Sequence, residues 1–104
     1  MGDLHPAAQV TRVIAIRHGE TDWNAQQRLQ GHVDIALNGR GRAQAARLYE
    51  ALKAEPLSAV YASDLSRAHE TALAFARPMG LAVSPTAALR ERAFGDYEGC
   101  TYSE

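Results

Sequence analysis

Apolar and polar positions follow two different periods along the chain, and the changes of period mark its elements. Val10 to Ile16 is β-branched and mostly apolar, which predicts a buried strand. It stops at Arg17-His18-Gly19, where the glycine allows a tight backbone turn. Thr21 to Leu37 holds no period. With Asn24, Gln26, Gln27, Gln30 and Gly31 it reads as a long surface loop with room for one helical turn, and a loop that long inside a compact domain is usually functional. Asn38 is a good N-cap for a helix running to Ala54, which aligns Ala45, Leu48 and Leu52 on one face and which Pro56 terminates. Leu57 to Ala62 predicts a second strand. Ser63-Asp64 then caps a second helix, with Leu65, Ala68, Ala72, Phe75, Ala76 and Met79 as its apolar stripe. Pro78 and Gly80 close that helix. Leu81 to Ser84 predicts a third strand that Pro85 stops, and from Thr86 onward the pattern is irregular. No internal repeat or low-complexity segment interrupts this order.

Strand, helix, strand, helix, strand is the order of an α/β fold with a mostly parallel sheet. Residues 1–11 read as a loose tail and residues 12–104 as one domain. In open parallel sheets, ligands sit beyond the carboxyl ends of the strands. Arg17-His18 follows the first strand, and Ser63 to Arg67 follows the second, so both clusters that carry chemistry fall at that end.

Composition narrows the classes of function. The chain has 104 residues and a formal net charge of -1, which suits one small domain and lacks the basic footprint of a nucleic-acid binder. The single cysteine, Cys100, excludes a disulfide within the chain and fits a reducing, cytoplasmic compartment. The short polar N-terminus resembles neither a signal peptide nor a membrane span. Ten of the eleven basic residues are Arg, Lys53 being the exception. GC-rich coding accounts for that total as well as phosphate binding does, so individual positions have to carry the argument.

His18, at a strand end beside Arg17 and Gly19, is a candidate nucleophile or base. Arg67 falls in the first turn of a helix, where free N–H groups favour an anion. Arg17 and Arg67 could converge on one dianionic group, and a phosphoryl group accepts such forks. Asn24 could add a hydrogen bond from the loop. Two cations near His18 are expected to lower its pKa and leave a neutral imidazole, with the other ring nitrogen donating to a backbone carbonyl. Taken singly, each residue has a bland reading: a lone His is more often structural, and a lone helical Arg is usually a solvated charge. His32 and His69 stay with surface readings, Trp23 and Tyr97 with packing, and Glu20 with a charge near a helix start.

Four blocks in order carry a resemblance: R-H-G-E-T-D-W-N (Arg17 to Asn24), R-L-Q-G-H-V-D-I-A-L-N-G-R-G-R-A-Q-A (Arg28 to Ala45), S-D-L-S-R-A-H-E-T-A (Ser63 to Ala72) and L-R-E-R-A-F-G-D-Y-E-G (Leu89 to Gly99). From Val13 to about Ser103 the chain resembles the N-terminal half of the histidine phosphatase superfamily, the phosphoglycerate mutase-like family. The resemblance implies a three-layer α/β sandwich and phosphoryl transfer through a phosphohistidine at His18. It implies that Arg17, Arg67 and Asn24 hold the phosphoryl oxygens. Glu91 would be proton donor to the leaving oxygen and then base for water, with Gln30 and Gly31 lining the substrate side. It implies a small phosphorylated substrate, and no metal or organic cofactor. It implies neither a nucleic-acid nor a membrane partner, and it leaves a homodimer open.

Family members carry a second essential His, in a His-Gly pair after another apolar strand, and their domains are about twice this length. No such pair follows Glu91 here. The expectation is a fragment or a truncated product, rather than a short chain completed by a second copy, and weak activity in isolation. Three functions compete. A phosphatase on small phosphomonoesters is favoured by the segment Phe94 to Gly99. A phosphoglycerate mutase dependent on 2,3-bisphosphoglycerate would need a basic insertion beyond Glu91. The third is a non-catalytic phosphate-binding or interaction module.

Overall fold

The structure, a computed structural model, describes residues 10–102. Its elements are a one-turn helix α1 (Asp22–Ala25), helix α2 (Gly39–Leu52), strand β1 (Val60–Ala62), helix α3 (Ser66–Ala76) and strand β2 (Val83–Pro85). Two 3-10 turns follow, Ala87–Leu89 and Gly95–Tyr97. β1 and β2 pair in parallel with Val60 opposite Val83, and α3 is the crossover between them. The fold is therefore α/β with parallel strands, as the order of patterns predicts.

The core forms where the apolar stripes of α2 and α3 meet the sheet. Leu52, Val60, Ala62, Ala72, Phe75 and Ala76 are buried together, with Leu48, Tyr49, Leu57, Met79, Leu81 and Val83 packed around them. Six of these positions, Leu48, Leu52, Ala72, Phe75, Ala76 and Met79, come from the expected helical stripes. The small residues Ala72 and Ala76 let α3 approach the sheet closely, while Phe75 supplies most of its apolar bulk.

Several local expectations need correction. Helix α2 starts as predicted, with Asn38 Oδ1 accepting the Gly41 N–H at 2.8 Å, but it ends at Leu52 instead of Ala54. Ser63-Asp64 does not cap α3. The cap position is Leu65, and the Ser66 N–H donates to Asp34 Oδ1 at 2.7 Å while Ser66 Oγ donates to Oδ2 at 3.0 Å. Ser63 and Asp64 are otherwise engaged: the Ser63 hydroxyl accepts from the Leu65 N–H, and Asp64 forms a two-pronged pair with Arg90. Pro85 does not stop β2 but is its last residue, and the next amide, Thr86 N–H, reaches the Ala62 carbonyl at 2.8 Å.

The largest departure lies at residues 10–16. They form no strand, and Val13 is 82% exposed, with Val10 similarly bare. Strand propensity needs a partner ladder and an apolar face to bury; among the described residues the sheet has two strands, and neither pairs with this segment. Arg12 pairs with Glu55 at 2.9 Å across the surface. Residues 1–9 of the expected tail lie outside the described residues.

Immediately after this bare segment the backbone becomes fully enclosed. The Gly19 N–H donates to Thr71 Oγ1 at 3.0 Å, the Glu20 N–H to Gln44 Oε1 at 2.9 Å, and the Asn38 N–H to the Glu20 carbonyl at 3.0 Å. Thr21 bridges to Leu37 and is 0% exposed. Two glycines permit this approach. A Cβ on Gly19 would collide with the Gly41 carbonyl, and one on Gly41 would collide with the Glu20 backbone. Gly41→Ala is therefore expected to destabilise the chain by about 1–3 kcal/mol, the usual cost of overpacking. Gly39→Ala, in the same helical turn with open space around it, should be neutral or stabilising by up to about 1 kcal/mol. Urea denaturation of the two variants checks this, and equal midpoints would contradict the close-approach account.

Candidate active site

The site starts from the two residues that follow the bare segment. His18 is half-buried, and its Nδ1 lies 2.6 Å from the Gly19 carbonyl oxygen. A carbonyl oxygen can only accept, so Nδ1 carries the proton and Nε2 keeps its lone pair. Nε2 makes no hydrogen bond among the described residues. The His18 pKa is lowered. Burial of the ring is the largest cause, the Gly19 carbonyl opposes it, and Arg67, then Arg17, add to the lowering, while Glu91 works against it. The direction agrees with the expectation from two nearby cations, but burial of the ring is its largest cause.

Helix α3 brings the cation. Arg67 is 1% exposed, and its guanidinium is met by turned-in backbone. Nη1 donates to the Val33 carbonyl at 2.7 Å, and Nη2 to the Gly31 carbonyl at 2.6 Å and to Glu91 Oε2 at 3.3 Å. A guanidinium has five N–H donors; these three bonds leave the Nε–H and one Nη1–H for another acceptor. The Gly31 carbonyl can face inward because Gly31 adopts a left-handed φ of 55°, and a Cβ there would collide with the Glu98 carboxylate. Glu98 in turn accepts from the His32 N–H at 3.1 Å and the Phe94 N–H at 3.0 Å, which hold its carboxyl below the usual range. It ties the segment after Glu91 to the loop that embraces Arg67.

The remaining candidates are placed as follows. Glu91 is half-exposed against Arg67. Arg17 is exposed and makes no hydrogen bond among the described residues; it lines a shallow hollow with His18, Gln44, Leu48 and Thr71. Asn24 closes a capping box: its Oδ1 accepts the Thr21 N–H at 3.0 Å, while its Nδ2 has no hydrogen bond among the described residues. Gln30 is buried with its Oε1 taking the Thr21 hydroxyl proton, so it supports the wall from within. His32 presents Nε2 to the Glu91 carbonyl at 2.6 Å. Trp23 packs against Gly99, whereas Tyr97, expected in packing, is mostly exposed because it lies on an outlying 3-10 turn.

Three residues that shape this site escaped the sequence reading: Thr71, Asp34 and Glu98. Thr71 left one signal, a polar position four residues after Arg67 beside the buried stripe. Asp34 and Glu98 left none, since the contacts that tie them to the site, to Ser66 and to His32, lie 32 and 66 residues away in the chain. Among the described residues no cluster of three or more His, Cys, Asp or Glu side chains is placed to hold a metal ion. No described helix is long and apolar enough to cross a membrane. The arrangement as it stands couples an open imidazole lone pair to a buried cation with spare donors and a half-exposed carboxylate, a combination suited to an anion.

Known proteins are similar to this chain in sequence and in fold. The chain is 49% identical over 94 residues to phosphoglycerate mutase-like protein 4 of Arabidopsis thaliana, covering 88% of the chain and 41% of that relative. Its structure aligns with a mycobacterial glucosyl-3-phosphoglycerate phosphatase in complex with VO3 at a TM-score of 0.80 and 38% identity, covering 83% of the chain and 43% of that structure. A phosphoserine phosphatase from Entamoeba histolytica, in complex with 3-phosphoglyceric acid, aligns at 0.76 and 35% identity, covering 83% and 42%. The chain thus spans well under half the length of these relatives. Residues 13–104 match the histidine phosphatase superfamily (branch 1), and the chain belongs to that family.

Proposed function

We propose that this chain carries the phosphoryl-accepting half of a phosphomonoesterase in which His18 becomes phosphorylated. One observation carries the reading: His18 Nδ1–H is held by the Gly19 carbonyl, which leaves Nε2 its lone pair, and the buried Arg67 guanidinium is near enough to lower the His18 pKa. In the proposed reaction, Nε2 attacks phosphorus in line as the ester P–O bond breaks, and Glu91, having taken a proton from solvent once the phosphoryl group engages Arg67, gives it to the leaving oxygen. Water then attacks the phosphohistidine, Glu91 takes its proton, the Nε2–P bond breaks and phosphate leaves. Arg67 meets the phosphoryl oxygens with its Nε–H and spare Nη1–H, Arg17 from the exposed side, and Asn24 through Nδ2. Gln30 and Gly31 shape the pocket from behind, one by holding Thr21 and the other by holding Arg67. Electrostatic positioning does most of the work, as in other phosphoryl transfers.

Small phosphorylated metabolites are the proposed substrates, since the phosphoserine phosphatase neighbour is seen with 3-phosphoglyceric acid. Hydrolysis is preferred because nothing beyond water is needed to complete it. The Arabidopsis relative, a phosphoglycerate mutase-like protein, keeps a second reading, phosphoglycerate mutation with bisphosphoglycerate as phosphoryl donor. Added bisphosphoglycerate separates the two by yielding isomerised product instead of free phosphate.

Acid-stable adducts distinguish none of this, but acid-labile ones do. Incubation with para-nitrophenyl phosphate followed by rapid quench and alkaline workup should trap phosphohistidine on the peptide containing His18, and His18→Ala should abolish it. Equal labelling of that variant would sink the assignment.

Acid should also suppress the first step. Because burial lowers the His18 pKa, the neutral ring persists below the value of a free histidine, and protonation of Nε2 removes the nucleophile. The rate of phosphoenzyme formation should therefore fall with a midpoint below that of a free histidine, and the His18 Cε1–H resonance should titrate at the same midpoint. The same sign applies to stability: the unfolded chain binds this proton more readily, so the contribution is present above the free-histidine pKa and is lost on acidification. A midpoint at or above the free-histidine value would contradict the burial argument.

A further inference from the structure

Thr71 is 4% exposed in the middle of α3, and its hydroxyl both donates and accepts. It donates to the Arg67 carbonyl one turn earlier, at 2.6 Å, the usual outlet for a mid-helix threonine. That bond fixes the direction of its only proton. A lone pair is left facing away from the helix, and the Gly19 N–H occupies it at 3.0 Å across 52 residues of chain. Gly19 is thereby held at three points. Thr71 holds its N–H, the Gly41 carbonyl crowds its Cα, and its own carbonyl faces His18 Nδ1 at 2.6 Å.

We propose that Thr71 is a positioning residue for His18: its hydroxyl fixes the Gly19 backbone, and the Gly19 carbonyl then decides which imidazole nitrogen keeps the lone pair. This rests on the reading of His18 as the phosphoryl acceptor. Without the hydroxyl, the buried Gly19 N–H has no partner and must turn toward one. The carbonyl on the other side of the same Cα turns with it and leaves Nδ1. The ring then populates the Nε2–H tautomer, which presents a proton where the nucleophile needs a lone pair. Because the same hydroxyl bonds the Arg67 carbonyl, the nucleophile and the phosphate-binding cation are referenced to one helix. Movement of α3 carries both together, which preserves the distance between them.

The test is long-range 1H–15N correlation of the His18 ring in the whole chain, compared among wild type, Thr71→Ser and Thr71→Val. Wild type and Thr71→Ser should show one protonated Nδ1 and one unprotonated Nε2. Thr71→Val should show the two nitrogens averaged, with phosphoenzyme formation from para-nitrophenyl phosphate slowed roughly ten- to a hundredfold, the scale on which a small misplacement of a reacting group is felt. A Thr71→Val ring that keeps the wild-type tautomer overturns the proposal even if the variant is less stable. Should Thr71→Val fail to fold, hydrogen exchange of the wild type decides: a protected Gly19 amide beside a slowly exchanging Thr71 hydroxyl supports the link, and an unprotected Gly19 amide overturns it. If the wild type forms no phosphohistidine, the proposed reaction falls, while the tautomer comparison still decides the role of Thr71.

Discussion

Taking the Arg67 guanidinium out of water is costly unless its donors are met, and three of its five N–H groups are met by the segments around it. Two backbone carbonyls, from Gly31 and Val33, turn inward to meet it, and Glu91 supplies the opposite charge. Turning the Gly31 carbonyl inward requires a left-handed backbone, which a glycine adopts without strain. The space above that glycine is then filled by the Glu98 carboxylate, which gathers two backbone N–H groups and anchors the segment after Glu91. Asp34, one residue past the second carbonyl, reaches the start of α3 and takes the Ser66 N–H. One buried charge thus accounts for the path of two loops that have no regular structure of their own.

The second constraint is the enclosed backbone from Gly19 to Thr21. Its polar groups are answered by side chains of α2 and α3 and by the Asn38 amide, and paired glycines allow the contact. This segment directly follows His18 and holds the Gly19 carbonyl that meets its Nδ1. A polar backbone held at these groups has little freedom to turn.

How much of this was legible in the sequence follows from the range of each interaction. The helices were readable because their apolar stripes repeat every turn: Ala45 and Leu52 in α2, and Ala72, Phe75 and Ala76 in α3, all buried as the pattern required. The Asn38 cap was readable because its partner lies three residues on. Val10 to Ile16 was misjudged because strand character depends on a neighbouring strand, which a run of β-branched residues does not specify. The cap of α3 was misjudged for the same kind of reason, since Ser63 and Asp64 look suitable locally while the group that does the work, Asp34, arrives from a distant loop. At the site, His18, Arg67 and Glu91 stand out by residue type and motif, and the structure brings them together. The cause of the His18 pKa shift did not stand out, because burial is a property of the folded neighbourhood and the nearby arginines are visible in the string.

The account stands on the claim that the His18 lone pair and the spare Arg67 donors face one phosphoryl group. Titration of the 15N-labelled chain with inorganic phosphate tests this without requiring turnover. His18 Nε2 and Arg67 Nε should shift together, along one saturation curve, while Nδ1 of His18 keeps its proton. Shifts confined to exposed arginines such as Arg77 or Arg92, with His18 and Arg67 unmoved, would contradict it.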